Sequence, residues 1–182
     1  MKKLIMVLPL TLILCFMVGC QDKEAMAELE EIRAQAALEE QNKALIKQYF
    51  AELDSGVVEN IDNFADKFLS PECIWHFPGG ANVSGIEAIK EYIVGTNTSL
   101  PGLTHTIDDV IAEGDKIAIR MIARGTHQKE FMGMKPTGNE FTVTGASVLL
   151  ILEGKIVEWW IESDYYSFAQ QLGMELKPKE GE

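Results

Sequence analysis

The chain has 182 residues, of which 47% are hydrophobic, and its formal net charge at pH 7 is -12. This length and composition suit one folded domain with a substantial core and a short additional segment. The excess of carboxylates argues against nucleic-acid binding and against electrostatic docking on anionic lipid, because both require a basic face.

The N-terminus has the pattern of a signal peptide over residues 1–19. Two lysines precede an apolar run from Leu4 to Val18, which is shorter than the roughly 20 residues of a membrane span. Gly19 and Cys20 follow, and "FMVGC" resembles a bacterial lipobox, in which the cysteine is acylated and becomes the first mature residue. We therefore predict lipidation at Cys20 and an extracytoplasmic location on a bacterial membrane. An uncleaved membrane anchor is the alternative.

Residues 20–41 comprise the lipidated cysteine and a segment rich in Ala, Glu and Gln without Gly or Pro. This composition favours helix and predicts a solvated helical tether, with a short coiled coil as the weaker alternative. Once Cys20 is acylated, Cys73 is left alone, so the mature chain has no disulfide framework. Cys73 lies in the strand-like run "PECIWHF", which predicts a buried inert thiol rather than a nucleophile.

From residue 42 the chain alternates between helical and strand-like patterns. Apolar residues at helical spacing predict one helix ending at the "DSG" of 54–56, a second over 61–68 and a third in "GIEAIKEYIVGT". "CIWHF" is the single strand among them. Four β-rich runs joined by short turns then predict an antiparallel meander, followed by the amphipathic piece "YYSFAQQLGMEL" and a polar tail over 174–182.

This order predicts the α+β class, with three N-terminal helices packed on one face of a curved antiparallel sheet. A cavity is expected between the helices and the concave side of that sheet. The loop between the second and third strands of the meander, "HQKEFMGMKPTG", is expected to form a rim of the cavity. In this loop, Phe131, Met132 and Met134 are expected to cover apolar surface. A mobile loop is the alternative for this segment.

Two polar residues are the main candidates for chemistry. In "KIAIRMIARGTH", strand alternation places His127 on the same face as Ile117, Ile119 and Met121. An acid or base in a pocket and a core histidine satisfied by a neighbour both remain open for it. Asp164 ends the run "KIVEWWIESD", where it is either a site residue or the N-cap of the last helix.

The three histidines, His76, His105 and His127, show no spacing typical of a metal site, so the sequence predicts none. P-loop, dinucleotide-binding and nucleophile-elbow motifs are also absent from the sequence.

Over residues 42–173 the chain resembles the SnoaL-like polyketide cyclase (ester cyclase) family, whose fold is nuclear transport factor 2-like. The resemblance rests on "GTH" at 125–127, "EFMG" at 130–133, "PTG" at 136–138, "GKIVEWW" at 154–160, Asp164, and "QQLG" at 170–173. It implies a cone-shaped curved antiparallel sheet with three helices.

The resemblance also implies a chemistry. Family cyclases use an aspartate of the last strand as acid and base, which corresponds to Asp164, and they need no cofactor. Histidines and aromatic residues of the cavity would correspond to His127, Trp160 and also His105 or His76. The substrate loses a proton from the carbon beside a carbonyl, and the enolate closes a ring. Members of this fold also dimerise through the sheet, which implies a homodimer.

Three functions are therefore considered. One is a cofactor-free cyclase, lyase, isomerase or hydrolase acting on a small apolar carbonyl compound, with Asp164 as base and His127 as polarising group. A second is a lipid-anchored pocket that binds a small hydrophobic ligand without chemistry. A third is a structural dimer with a filled cavity. The first is favoured because both polar residues are present.

Overall fold

The computed structural model describes residues 7–175, with side chains from residue 23 onward. It divides into two compact units, residues 1–38 and residues 39–182. The predicted signal peptide and the lipidation site at Cys20 lie outside the part with described side chains, as does most of the polar tail. Within the described residues, no helix combines the length and the hydrophobicity needed to cross a membrane.

The elements follow the predicted order, with one short strand added. They are α1 Val7–Asp54, α2 Ile61–Phe68, β1 Leu69–His76, β2 Asn82–Ser84, α3 Ile86–Ser99, β3 Thr104–Glu113, β4 Lys116–Thr126, β5 Glu140–Leu152, β6 Lys155–Ser163 and α4 Tyr165–Gln171. Short 3₁₀ turns cover Val57–Asn60 and Pro78–Gly80. The three-residue strand β2 was not predicted; it follows the turn at Pro78 and pairs with the end of β1.

The six strands form one sheet in the order β2-β1-β6-β5-β4-β3. The predicted meander over β3 to β6 is confirmed, and every neighbouring pair in it is antiparallel. The prediction of a wholly antiparallel sheet is wrong at one place, because β1 pairs with β6 in parallel. Parallel neighbours need a long crossover, and here the connection between them contains β2, α3 and β3 to β5. The α+β class of a curved sheet covered by helices is confirmed.

The main core lies between the sheet and the helices. The C-terminal part of α1 buries Ile46, Tyr49, Phe50 and Leu53, which recur at the helical spacing that the sequence shows. A smaller cluster joins the loop after α3 to β5 and α4, and it contains Leu100, Phe141, Phe168 and Leu172. Cys73 is fully buried, as predicted, and burial raises the pKa of its thiol to about 12.

A β-bulge decides which face of β6 points inward. The pairing with β5 slips between Leu150 and Ile151, so the alternation of β6 is interrupted after Ile156. Ile156 and Trp159 are both buried, while Trp160 is 39% exposed on the opposite side. The prediction that Trp160 faces the cavity is wrong: from Trp159 onward, the odd-numbered residues of β6 face the helices.

Candidate functional site

A cavity of about 170 Å³ lies between the sheet and the helices of the unit formed by residues 39–182. Its floor comes from β1 and β3 to β6, and its cover from the end of α1, α3, α4 and the loop after β4. The lining side chains are Tyr49, Phe50, Leu53, Trp75, Phe77, Tyr92, Ile93, Thr96, Asn97, Leu100, Leu103, His105, Met121, Ala123, Phe131, Phe141, Val143, Trp159, Ile161, Ser163, Tyr165 and Phe168. Among these described residues, none is Asp, Glu, Lys or Arg.

Aromatic rings form the deep wall of the cavity. The Trp159 ring packs edge-on against Trp75, Tyr49 and Phe50, with centroid distances of 5.1, 5.2 and 5.8 Å. Such edge-to-face contacts add to the stabilisation from area burial and hold the rings in fixed orientations. The indole Nε1 of Trp159 is buried and has no hydrogen-bond partner within the described residues. It is therefore an unused donor beside the cavity.

His105 and Asp54 form the one acid–base pair at this wall that the described side chains provide. The His105 ring Nδ1 lies 2.7 Å from Oδ1 of Asp54, and the His105 backbone N–H donates to Oδ2 of the same carboxylate at 2.7 Å. Asp54 ends α1 and His105 lies near the start of β3, so two different elements fix the pair. Their side chains are 19% and 10% exposed.

This arrangement fixes the chemistry of the imidazole. Because the Asp54 carboxylate accepts from Nδ1–H, the neutral ring holds its proton on Nδ1, and Nε2 is the nitrogen left for a ligand. The Phe50 ring packs beside the His105 ring at a centroid distance of 5.1 Å. His105 is therefore an imidazole at the edge of an apolar cavity, held in orientation by Asp54, and its position is one from which a general base or acid can act.

Hydroxyl groups and the Asn97 amide provide the remaining polar lining. Burial raises the pKa of Tyr92 to about 12, with a further increase from the neighbouring Tyr165, while a hydrogen bond with Thr96 opposes it. Burial also raises the pKa of Tyr165, and Glu162 adds to that increase. Both phenols therefore keep their protons at neutral pH and can donate hydrogen bonds.

Asp164 does not line the cavity. Its Oδ1 accepts a hydrogen bond from the backbone N–H of Ser167 at 2.9 Å, which makes it the N-cap of α4. Its exposed side chain borders a separate surface depression with Arg120, Thr144 and Glu162. The expectation that Asp164 and His127 share one apolar space is therefore corrected, and the capping alternative describes the observed position.

His127 is fully buried, in agreement with the predicted strand alternation, but it lies outside the cavity lining. Its Nδ1 lies 3.2 Å from Oγ1 of Thr137. Its backbone N–H donates to Asn139 and its carbonyl accepts from Gly138, so the residue anchors both ends of the loop after β4. This geometry corresponds to the core-histidine alternative, although Nε2 has no partner within the described residues.

The remaining predicted site residues divide between the two faces of the sheet. His105 and Phe131 line the cavity. His76 stacks on Trp160 with a centroid distance of 5.0 Å and an interplanar angle of 13°, and both lie outside the cavity lining. Phe131 and Met134 form a small bridge that closes a turn, and both are half-buried, whereas Met132 is 63% exposed. The prediction that all three cover apolar surface is therefore wrong for Met132.

Asp54 is the member of the His105 pair that the sequence does not indicate. In the sequence it belongs to "DSG", which was interpreted as a helix stop. The available signal is its position directly after Leu53 and one helical turn after Phe50, two residues of the buried helix face. An aspartate at the end of a core-facing helix can reach a strand that starts beside it, but the sequence does not reveal which strand that is.

Comparisons with known proteins agree with this architecture. Residues 34–172 match the SnoaL-like polyketide cyclase family. A comparison with curated proteins finds no match to this chain.

Among solved structures, wild-type IdmH from Streptomyces antibioticus, which carries a provisional assignment as a polyketide cyclase, is 29% identical. Its TM-score is 0.63, with 74% of this chain and 99% of IdmH covered. TsrD from Streptomyces laurentii is 28% identical, with a TM-score of 0.63 and coverage of 73% and 95%. A SnoaL-like protein from Jannaschia sp. CCS1 shares the fold at 18% identity, with a TM-score of 0.69 and coverage of 76% and 96%. The chain belongs to the SnoaL-like polyketide cyclase family.

Proposed function

We propose that the protein performs cofactor-free acid–base chemistry of the cyclase or isomerase type on a small carbonyl compound, with His105 as the base. The observation that carries this proposal is the His105–Asp54 pair at the wall of an apolar cavity. Nε2 takes a proton from the carbon beside the carbonyl, and the electron pair of the broken C–H bond moves into the enolate. Asp54 stabilises the imidazolium that forms.

The fate of the enolate distinguishes the reaction types. In an isomerase, the protonated His105 returns the proton to a different carbon of the same molecule. In a cyclase, the enolate carbon attacks a second carbonyl of the substrate, and the resulting alkoxide takes the proton from His105. Both sequences leave the enzyme unchanged and use one residue alternately as base and acid.

Exchange of α-protons with solvent deuterium tests the proposal without knowledge of the natural substrate. Cyclic ketones in D₂O are followed by proton NMR with the wild-type chain, His105→Gln and His76→Gln. Wild type and His76→Gln are expected to accelerate the loss of the α-proton signals, because His76 lies on the other face of the sheet. His105→Gln is expected to give the rate of buffer alone. Equal rates for all three proteins would contradict the proposal.

A non-catalytic ligand-binding module is the second candidate. The apolar, aromatic character of the cavity favours it, because such a space binds hydrocarbon without any need for chemistry. Under this alternative, ketones bind to wild type and to His105→Gln, and neither protein accelerates exchange above buffer. The exchange experiment therefore separates the two candidates.

The extracytoplasmic, lipid-anchored location remains part of the proposal and rests on the sequence pattern before Cys20. Mass spectrometry of the membrane fraction is expected to find an acylated N-terminal Cys20, and Cys20→Ala is expected to stay unprocessed at this site. A mature chain that begins at another residue would contradict the proposal.

A homodimer through the outer face of the sheet is proposed from its apolar residues. Ile111, Val148 and Trp160 are 62%, 41% and 39% exposed. The strand register places them in one row, because Ile111 pairs with Ala118, Ala118 with Val148, and Val148 with Trp160. A continuous exposed apolar row favours association. In sedimentation experiments in detergent, the full wild-type chain is expected to be a dimer. The Val148→Glu variant is expected to be a monomer. A wild-type monomer at tens of micromolar would contradict this.

A further inference from the structure

His105 of β3 and the hydroxyls of Tyr92 and Tyr165 come from different parts of the cavity lining. Across the sheet, His105 pairs with Ala123 and Ala123 pairs with Val143. The Asp164 backbone N–H donates to the Thr144 carbonyl at 3.0 Å, so the β5–β6 register continues to the start of α4. The backbone of Tyr165 therefore lies at the same level of the sheet as that of His105, three strand spacings or about 14 Å away, and both side chains line the cavity between these positions.

The hydroxyls of Tyr92 and Tyr165, here called the hydroxyl edge, come from two different helices. Tyr165 comes from the start of α4, and Tyr92 comes from α3, where its ring packs against Phe77 at 5.0 Å and Trp75 at 5.8 Å. Both residues are half-buried and line the cavity. Because burial holds both phenols in the protonated form, this edge presents hydrogen-bond donors without charge.

The size and charge of the cavity limit what it can accept. A dry cavity of about 150 Å³ is known to hold one benzene ring, and the cavity here measures about 170 Å³. No lysine or arginine is present among the described lining residues, so a carboxylate or phosphate would be buried without a counterion. Such a burial is strongly unfavourable, whereas a neutral carbonyl oxygen needs one or two donors.

We propose that the site takes an uncharged substrate with a single ring in the cavity, whose carbonyl oxygen accepts hydrogen bonds from the Tyr92 and Tyr165 hydroxyls. The inference rests on the proposed function for the role of His105 and adds the substrate class and the oxygen-binding groups. In this arrangement the ring lies against Trp75 and Trp159, and its α-carbon faces His105. As the enolate forms, negative charge develops on the oxygen, and the two donors stabilise it.

Binding of cyclohexanone tests this proposal separately from turnover. The full chain has three tryptophans, and the indole N–H signals of Trp75 and Trp159 report on the cavity, while that of Trp160 reports on the outer face. Cyclohexanone is expected to shift the first two signals in a saturable manner and to leave the third in place. Cyclohexanecarboxylate, which has the same ring and a negative charge, is expected to produce no saturable shift.

Tyrosine variants test the oxygen-binding groups. Tyr92→Phe and Tyr165→Phe each remove one neutral hydrogen bond, so each is expected to weaken cyclohexanone binding about threefold to tenfold. Tyr166→Phe is the matched control, because Tyr166 is 54% exposed and lies outside the cavity lining. Wild-type affinity in both cavity variants, binding of the carboxylate as tight as that of the ketone, or unshifted cavity indoles would each overturn the proposal.

The variant His105→Gln separates this inference from the proposed function. It is expected to bind cyclohexanone as wild type does while it loses proton exchange. Ketone binding through the tyrosines without any exchange in wild type would refute the catalytic proposal and support the binding site. Exchange that depends on His105 without any effect of the tyrosines on ketone binding would support the catalytic proposal and refute the oxygen-binding assignment.

Discussion

Replacement of Asp164 distinguishes a capping role from a catalytic role. The carboxylate accepts one hydrogen bond from Ser167 at 2.9 Å, and the helix that it caps has seven residues. Loss of an N-cap costs about 1 kcal/mol, so Asp164→Ala is expected to lower the melting temperature by roughly 3 °C in a chain of this length. Asn caps about as well as Asp, so Asp164→Asn is expected to unfold within a degree of wild type.

The cap matters to the site because α4 contributes to the cavity. Phe168 is buried on this helix, and its ring packs against Phe141 at 4.8 Å and Phe131 at 6.0 Å. Thermal unfolding followed by circular dichroism, with wild type, Asp164→Ala and Asp164→Asn measured together, gives the two shifts. Equal destabilisation by Asn and Ala would refute the capping argument, because the amide oxygen would then fail to replace the carboxylate oxygen.

Three further predictions concern other parts of the structure. Asp54→Asn removes one of two carboxylate acceptors and is expected to slow α-proton exchange roughly tenfold or more while leaving the fold intact; an unchanged rate in the NMR assay would contradict this. The Cys73 thiol keeps its proton to about pH 12 in the folded chain, so the unfolded chain ionises first. The free energy of unfolding, measured by chemical denaturation, should therefore fall as pH rises from about 9 toward 12, and it should fall less in Cys73→Ala. The same pH dependence in both proteins would contradict this. Gly125→Ala places a Cβ 2.9 Å from the Phe141 ring and is expected to lower the free energy of unfolding by about 1–3 kcal/mol. The new Cβ in Gly95→Ala meets nothing within 4 Å, so this variant should not be destabilised. A lower melting temperature for Gly95→Ala than for Gly125→Ala would contradict the packing.

The sequence predicts the helices and the meander because their apolar residues recur with the periods of helix and strand. It also predicts the burial of His127 and Cys73, since alternation holds along β4 and β1. Alternation fails at β6, where Val157 is the extra residue of a bulge opposite Leu150 and Ile151, because a bulge is a property of strand pairing. The tryptophan that β6 contributes to the cavity is consequently Trp159 instead of Trp160, which no local pattern indicates.

The site was harder to predict because its acid–base pair joins distant parts of the chain. Asp54 and His105 are 51 positions apart, and their contact depends on where the last turn of α1 lies relative to the start of β3. For Asp164, the local sequence pattern allows both a helix cap and a base. The structure shows the cap, because the Asp164 side chain accepts a hydrogen bond from the backbone N–H of Ser167. The family resemblance predicts the fold. The position of each site side chain relative to the cavity is known only from its contacts in the structure.

The most direct test of the central claim compares His105→Gln with Asp164→Asn in one α-proton exchange experiment. If His105 is the base of the cavity, His105→Gln falls to the rate of buffer alone, while Asp164→Asn exchanges within about twofold of wild type. The opposite result, in which Asp164→Asn loses exchange with an unchanged melting temperature and His105→Gln retains it, would contradict the account.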